Sequence, residues 1–174
     1  MGCVKIHDEI TVGWVDYPSP IDCSLNLFFY GCSHKCKGCS NPQFWTTKFG
    51  IYQTIEEILN RISSLAVSNR TVQICLLGGD PLYKESIETT RELIKELSSR
   101  GFEICLYTGY SISTVKRQKI EGLKFVKTGK YIESLSCKSE KTDEYLQFAS
   151  TNQKLYDKHF RLVSQNGRYY FNKS

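Results

Sequence analysis

Two short apolar segments that both end in glycine most constrain the fold of this chain. Residues 74–79 read ICLLGG and residues 104–109 read ICLYTG, so one Ile-Cys-Leu triplet recurs 30 residues later. The residues between them, 86–101, carry apolar side chains at helical spacing and end at Gly101. A strand, a helix and a second strand within about 30 residues match the length of a βαβ unit. Such a connection makes the two strands parallel.

The same pattern continues on both sides of this unit. Two further candidate strands are residues 24–31 (SLNLFFYG) and 123–131 (LKFVKTGKY). The spacing of apolar residues over 54–67 predicts an amphipathic helix that begins with a Thr54–Glu57 capping box. In the tail we expect a strand around 154–163, a turn at 165–168 and an aromatic strand at 169–171. The pattern predicts an α/β fold with a mostly parallel sheet, in a single domain over residues 1–174.

Four motifs fall where these parallel strands end. They are the cysteine-rich loop GCSHKCKGCS (31–40), Gly78-Gly79-Asp80-Pro81, Thr108-Gly109-Tyr110 and Lys127-Thr128-Gly129. Each glycine taken alone could simply end its strand. In parallel α/β sheets, however, ligands bind beyond the carboxyl ends of the strands. The coincidence of the glycines with the cysteines therefore favours a ligand site at this edge.

The loop holds Cys32, Cys36 and Cys39 in a C-x3-C-x2-C spacing, with no fourth cysteine nearby. Structural zinc sites use four ligands, commonly as two separated C-x2-C pairs, and ferredoxin clusters use four cysteines. His34 could complete a Cys3His set, but its short tether makes this awkward, and we interpret it as an exposed loop residue. A cubane cluster held by three cysteines would keep one iron open to a small molecule.

The charge and the hydropathy of the chain argue against nucleic-acid-binding and membrane-spanning proteins. The chain has 174 residues and a net charge of +5, and its basic residues form no continuous stripe, so we expect no nucleic-acid partner. No apolar run approaches the ~20 residues needed to span a bilayer, and we expect a cytoplasmic protein without a membrane segment. Cys75 and Cys105 lie in apolar runs and predict buried, inert thiols. Cys3, Cys23 and Cys137 have no partner at metal-ligand spacing.

The cysteine loop, followed by GGDP at 78–81, resembles the radical S-adenosylmethionine (SAM) superfamily. A narrower resemblance covers most of the chain. The ordered motifs GC-x3-C-x-GC-x-N-P, GGDPL, TGY, KTGKYIE and STNQKLY are similar to the activating proteins of anaerobic ribonucleotide reductase. The resemblance implies a partial (β/α) barrel of mostly parallel strands, of the radical SAM type, with a short C-terminal β extension.

The resemblance also implies a set of site residues. Cys32, Cys36 and Cys39 would bind a [4Fe–4S] cluster, and the amino and carboxylate groups of SAM would bind its fourth iron. The residues implied to contact SAM are Gly38 and Ser40 beside the cluster, Gly78, Gly79 and Asp80 at the methionine end, and Thr108, Tyr110 and Lys127 at the adenosine side or the rim. An aromatic residue is common beside the third cysteine in this superfamily, whereas Gly38 and Ser40 stand here. The resemblance then leaves Tyr110 or Phe44 as the ring that would stack on adenine.

By the same resemblance, the reduced cluster passes one electron to SAM, which splits to methionine and a 5′-deoxyadenosyl radical. That radical removes hydrogen from a glycine of the partner, an anaerobic ribonucleoside-triphosphate reductase. An electron donor such as a flavodoxin is implied, and no catalytic side chain is assigned beyond the cluster and SAM.

Several alternatives stay open on the sequence. One is a short radical SAM enzyme that acts on a small molecule, similar to a deazapurine synthase, and another is a non-catalytic zinc or iron–sulfur module. Asn152 and Gln153 form either a polar turn or a segment ordered near the active site. Phe44 and Trp45 form either core or docking surface, and we favour core.

Overall fold

The computed structural model describes residues 2–19, 22–137 and 144–171. Its main feature is an eight-stranded sheet with the order β4-β1-β3-β5-β6-β7-β9, in which β2 pairs with β3 beside β1. The strands are β1 (Cys3–Ile6), β2 (Thr11–Gly13), β3 (Ser24–Phe29), β4 (Ile51–Thr54), β5 (Gln73–Gly78), β6 (Glu103–Tyr107), β7 (Leu123–Thr128) and β9 (Lys154–Asp157). Two further strands, β8 (Tyr145–Gln147) and β10 (Arg168–Tyr170), form a small separate sheet.

The predicted βαβ unit is confirmed. Strand β5, helix α2 (Ile87–Ser99) and strand β6 follow one another, and β5 pairs with β6 in parallel. In that pairing Cys75 lies opposite Cys105, with the flanking Ile and Leu residues also matched, so the repeated triplet pairs with itself. Both thiols are fully buried, as predicted.

The four predicted glycine-terminated strands form the parallel centre of the sheet, in the order β3, β5, β6 and β7. Helix α1 (Ile55–Asn69) begins at Thr54 with the expected capping box. A short helix, α3 (Ile112–Arg117), was not predicted. The α/β class with a mostly parallel central sheet is thus confirmed. No pairing between β4 and β9 closes a barrel in the described part of the chain.

The C-terminal prediction was partly wrong. The strand expected around 154–163 ends at Asp157, because the Asp157 carboxylate accepts the backbone N–H groups of His159 and Arg161 and turns the chain. The predicted turn is present, with Asn166 and Gly167 in left-handed conformations. The aromatic strand that follows it pairs with β8 and not with β9. The small sheet of β8 and β10 is the short C-terminal β extension that was expected.

Two apolar cores lie on opposite faces of the sheet. The larger core packs α1 and α2 against β1, β3, β5 and β6. The smaller one contains Tyr17, Cys75, Leu77, Cys105, Leu146, Phe148 and Leu155. The second core supports the ends of β5, β6 and β7, where the predicted motifs lie. None of the helices described here is both long and apolar enough to cross a lipid bilayer.

Candidate functional site

A cavity of about 250 Å³ lies at the carboxyl ends of the parallel strands. Eight of the eleven predicted site residues line it: Cys32, Cys36, Cys39, Ser40, Gly78, Gly79, Thr108 and Lys127. The fold therefore brings together motifs that are separated by most of the sequence. The other three predicted residues, Gly38, Asp80 and Tyr110, lie outside this lining.

The cysteine loop is held on two sides. Gly31 begins it with a φ of +102°, a left-handed conformation that favours glycine, and the ring of Tyr83 occupies the space of a side chain at this position. The N–H groups of Gly31 and Cys32 donate to the carbonyls of Phe44 and Trp45, in the short 3-10 helix that follows the loop (Pro42–Trp45). Backbone hydrogen bonds thus tie the start of the loop to the segment that follows it, and the Asp80 N–H, just beyond β5, donates to the Gly31 carbonyl at 2.9 Å.

The surroundings of the sulfur atoms fit an iron–sulfur cluster. Cys32 is buried, and Cys36 and Cys39 are half-buried, so the three thiols lie at the boundary between protein and cavity. The N–H of Asn41 donates to Cys39 Sγ at 3.4 Å, and such hydrogen bonds stabilise sulfur ligands. Burial raises the pKa of the Cys32 thiol, the backbone of His34 lowers it, and the Asp80 carboxylate raises it further.

The described side chains are not gathered around one point in the way that a single ion requires. Among the residues described, no three His, Cys, Asp or Glu side chains form a group that could hold a single metal ion. In a cluster each cysteine binds a different iron, so the thiols need not converge on one point. Three cysteines on one loop facing one cavity fit this requirement.

The Asp80 carboxylate is buried behind the cavity, where it is 1% exposed. Its Oδ1 accepts from the Leu82 N–H at 2.9 Å, and its Oδ2 accepts from the Gly109 N–H at 2.9 Å. The Thr108 hydroxyl donates to both oxygens, at 2.9 and 3.0 Å. Asp80 therefore joins the ends of β5 and β6, and its contact with the methionine end of a ligand stays a prediction.

His34 is the most informative residue that the sequence analysis misassigned. Its Nε2 lies 2.9 Å from Asp80 Oδ2, and its side chain is only 6% exposed. The interpretation as an exposed loop residue was therefore wrong. The sequence could not show this, because His34 and Asp80 are 46 residues apart.

Gly78 and Gly79 allow the end of β5 to approach the loop closely. Gly78 has a φ of +108°. A Cβ atom on Gly79 would lie 2.5 Å from the carbonyl oxygens of both Gly31 and Phe44. No side chain larger than hydrogen fits there without moving backbone, so this glycine does more than end a strand.

The floor of the cavity contains Asp16, which the motifs did not indicate, together with the predicted Lys127. Asp16, from the segment after β2, accepts a hydrogen bond from the Asn26 amide at 2.7 Å, and its backbone carbonyl accepts one from the Tyr107 hydroxyl. Lys127 Nζ lies 4.8 Å from the centre of the Tyr107 ring, and burial lowers the pKa of Lys127 to about 8. Asp16 and Lys127 thus place a carboxylate and an ammonium group on the same cavity wall.

Four aromatic residues near the loop occupy different places. Phe44 is buried, with ring centroids 4.9 Å from Tyr30, and lies in the core as favoured. Trp45 lines the cavity. Tyr110 packs behind His34 with ring centroids 4.5 Å apart. Of these, Trp45 is the ring that the structure presents to the cavity.

The remaining predicted residue, Gly38, lies on the outer side of the loop. Its φ is +73°, and a Cβ there would be 2.9 Å from a carboxylate oxygen of Glu133. The conformation favours glycine, whereas the half-exposed Glu133 side chain could shift to make room for a Cβ. Its contact with SAM stays a prediction.

The class of protein follows from comparison with known families. Residues 22–156, which include the loop and the carboxyl ends of β3, β5, β6 and β7, match the model of the 4Fe-4S single cluster domain family. The chain is therefore a member of this iron–sulfur family.

Individual relatives narrow the family further. The anaerobic ribonucleoside-triphosphate reductase-activating protein of Enterobacteria phage T4 is 34% identical over 131 residues, which are 71% of this chain and 80% of the relative. The protein of the same name from Escherichia coli K12 is 26% identical over 117 residues, 63% of this chain and 75% of the relative. A protein of Methanocaldococcus jannaschii, provisionally named as a glycyl-radical enzyme activating enzyme, is 29% identical over 123 residues, 67% of this chain and 45% of the relative. The chain belongs to the family of anaerobic ribonucleoside-triphosphate reductase-activating proteins.

Proposed function

We propose that this protein activates an anaerobic ribonucleoside-triphosphate reductase by generating a glycyl radical on it, with a [4Fe–4S] cluster and SAM as cofactors. One observation carries the proposal: the three loop cysteines, the Gly78-Gly79 pair and Thr108 line a single cavity. The names of the relatives support the activating role and the protein substrate.

In this proposal Cys32, Cys36 and Cys39 would hold the cluster at the cavity, each through one iron. When bound, the cluster and SAM together supply the one-electron cleavage of a sulfonium bond and a hydrogen-atom abstraction from carbon. The protein's own task is to position the two cofactors and to exclude side reactions.

The chain's residues provide three kinds of contact for SAM. Gly78 and Gly79 carry no side chain that would shield their carbonyl groups from a ligand, while the Gly79 N–H already donates to the Phe29 carbonyl. Ser40 places a hydroxyl group in the lining of the cavity, whereas Thr108, also in the lining, already donates its hydroxyl proton to Asp80. The Lys127 ammonium offers hydrogen-bond donors to an anionic or carbonyl oxygen at the floor.

The substrate glycine must enter the same cavity to reach the cofactor. Since glycine has no side chain, a protein can recognise it only through its main chain and its neighbours. The cluster also needs a one-electron donor, for which we propose a small protein such as a flavodoxin. The net charge of +5 would favour an acidic donor. Because three free thiols must stay reduced, we place the protein in the cytoplasm.

The proposal is tested by anoxic reconstitution with iron and sulfide, reduction, and electron paramagnetic resonance (EPR) spectroscopy with and without SAM. We expect a [4Fe–4S]⁺ signal that changes when SAM is added, followed by a glycyl-radical signal on a co-expressed reductase. Cys32→Ala, Cys36→Ala and Cys39→Ala should each abolish these signals. Cys3→Ser is the matched control, because Cys3 is an exposed cysteine on β1, away from the cavity.

Two results would contradict the proposal. A protein that takes up zinc but no iron would be a structural metal module. A cluster whose spectrum is indifferent to SAM would exclude the radical chemistry.

A further inference from the structure

His34 lies in the three-residue spacer between Cys32 and Cys36, and it lines the same cavity as these cysteines. Its Nε2 is 2.9 Å from Asp80 Oδ2, and both side chains are almost fully buried, at 6% and 1% exposure. A buried hydrogen bond to a carboxylate is among the stronger and more directional contacts in proteins. The spacer is therefore attached to the body of the protein at its centre.

Asp80 is a rigid partner for this contact. Three other donors hold its carboxylate: the Leu82 N–H, the Gly109 N–H and the Thr108 hydroxyl. All three belong to the segments that follow β5 and β6. The position of His34 is thus set by the ends of two central strands.

The ring of His34 is also enclosed by its neighbours. The Tyr110 ring meets it edge-on, with centroids 4.5 Å apart. A Cβ on Gly109 would lie 2.6 Å from His34 Nε2. Gly109 is absent from the residues with a positive φ. Its lack of a side chain therefore serves to leave room for the histidine ring.

We propose that His34 is a positioning residue for the cluster, and that Asp80 acts through it. The His34–Asp80 contact fixes the spacer so that Cys32 and Cys36 present their sulfur atoms to the cavity in one arrangement. It also links the cluster loop to the Gly78-Gly79 segment, where SAM is proposed to bind. The inference rests on the proposed cluster site. It assigns no direct contact between His34 and iron, since Nε2 is already occupied by Asp80.

The first test compares two substitutions of His34. His34→Gln keeps an N–H donor near the position of Nε2, whereas His34→Phe keeps a planar ring and removes the donor. The measurement is the rate at which reconstituted protein loses iron to a chelator, together with the EPR spectrum of the reduced cluster. Loss of a residue that orients a metal ligand typically weakens metal binding roughly 10- to 100-fold.

We therefore expect iron loss about 10- to 100-fold faster in His34→Phe and near the wild-type rate in His34→Gln. His159→Phe, at an exposed site beyond β9, is the matched control and should behave as wild type. Equal rates in wild type and His34→Phe would overturn the inference.

The second test perturbs the His34 ring through Gly109, the residue that leaves room for it. Gly109→Ala should displace the His34 ring and accelerate iron loss about tenfold. In a His34→Ala background the space is free, and the added methyl group should change the rate by no more than about twofold, since the two residues interact directly. A similar effect of Gly109→Ala in both backgrounds would show that Gly109 acts independently of His34 and would overturn the inference.

These measurements separate the inference from the proposed function. If the wild-type cluster does not respond to SAM, the proposed function is wrong, but the chelator rates still decide the role of His34. If the cluster responds to SAM and the His34 variants retain iron as wild type does, the function stands and the positioning role fails.

Discussion

The Gln153 side-chain amide donates to the Gly129 carbonyl at 3.0 Å, and this contact joins the C-terminal segment to the end of β7. The Gln153 Oε1 accepts the Ser150 N–H at 3.2 Å, and the neighbouring Asn152 amide donates to the Lys130 carbonyl at 2.9 Å. Gln153 also lines the cavity. Of the two interpretations of this segment, the structure therefore supports an ordering role beside the site over a plain polar turn.

Gln153→Ala should destabilise the protein. The substitution leaves the Gly129 carbonyl and the Ser150 N–H without these partners in a buried region, which costs about 1–3 kcal/mol in the free energy of unfolding. Urea unfolding of the metal-free protein measures the difference. Gln118→Ala, at the half-exposed end of α3, is the control and should change it by less than about 0.5 kcal/mol. Equal effects of the two substitutions would show that the Gln153 contacts contribute nothing.

Gly79→Ala should be far more damaging than Gly101→Ala. The new methyl group at 79 meets two backbone carbonyl oxygens at 2.5 Å, and overpacking against backbone costs about 3 kcal/mol or more. At Gly101 nothing lies within 4 Å of a Cβ, and only the φ of +86° opposes alanine, at about 1 kcal/mol.

The two glycine variants should also differ in iron content after reconstitution. Gly79→Ala should bind less iron, because the loop can no longer pack on β5. Gly101→Ala should match wild type. A Gly79→Ala protein with wild-type stability would mean that the loop can move away from the strand end at little cost.

The parallel centre of the sheet could be predicted because each strand carries its own signal. An apolar run that ends in glycine marks a buried strand, and the repeated triplet in β5 and β6 even pairs in register. Strands β1, β2 and β4 have no such signal, since they are three or four residues long and form by pairing with distant partners. The pairing of β10 with β8 was missed for the same reason.

The site shows the same division. The meeting of the three cysteines and the Gly78-Gly79 pair at one cavity was predictable, because each follows a glycine-terminated parallel strand. The burial and hydrogen bonds of Asp80 could not be predicted, since its partners Thr108 and His34 are 28 and 46 residues away in the sequence. Its buried network depends on how the strand ends meet in space, which no local pattern encodes.

The cysteines should differ sharply in their reactivity towards an alkylating reagent. Thiolates are the reactive form, and burial raises the pKa of Cys75 well above its ordinary value, with the adjacent Cys105 thiol adding to the shift. Cys3 is exposed.

We expect Cys75 and Cys105 to react roughly a thousandfold or more slowly than Cys3, because labelling requires the core to open. Mass spectrometry of the metal-free protein, sampled over time, measures this ratio. Unfolding in urea is the control and should bring all the rates together. Rapid labelling of Cys75 in the folded protein would contradict its place in the second core.

The capping box of α1 provides a prediction that depends on pH. The Thr54 side chain accepts the Glu57 N–H at 3.3 Å, and the Glu57 carboxylate accepts the Thr54 N–H at 2.7 Å. Thr54→Ala should lower the free energy of unfolding by about 1 kcal/mol near neutral pH. Ser64→Ala, on the exposed side of the same helix, should be neutral or slightly stabilising.

The pH dependence follows from the Glu57 carboxylate. The backbone N–H of Thr54, and then its hydroxyl, lower the pKa of Glu57 below its ordinary 4.5. A carboxyl whose pKa is lowered by folding stabilises the protein above its unfolded pKa, and this stabilisation is lost as the pH falls through the folded value. Glu57→Gln should therefore be less stable than wild type at neutral pH, and the difference should disappear in acid below that range. Urea unfolding at several pH values measures it, and a difference that persists in acid would assign the effect to something other than the charge of Glu57.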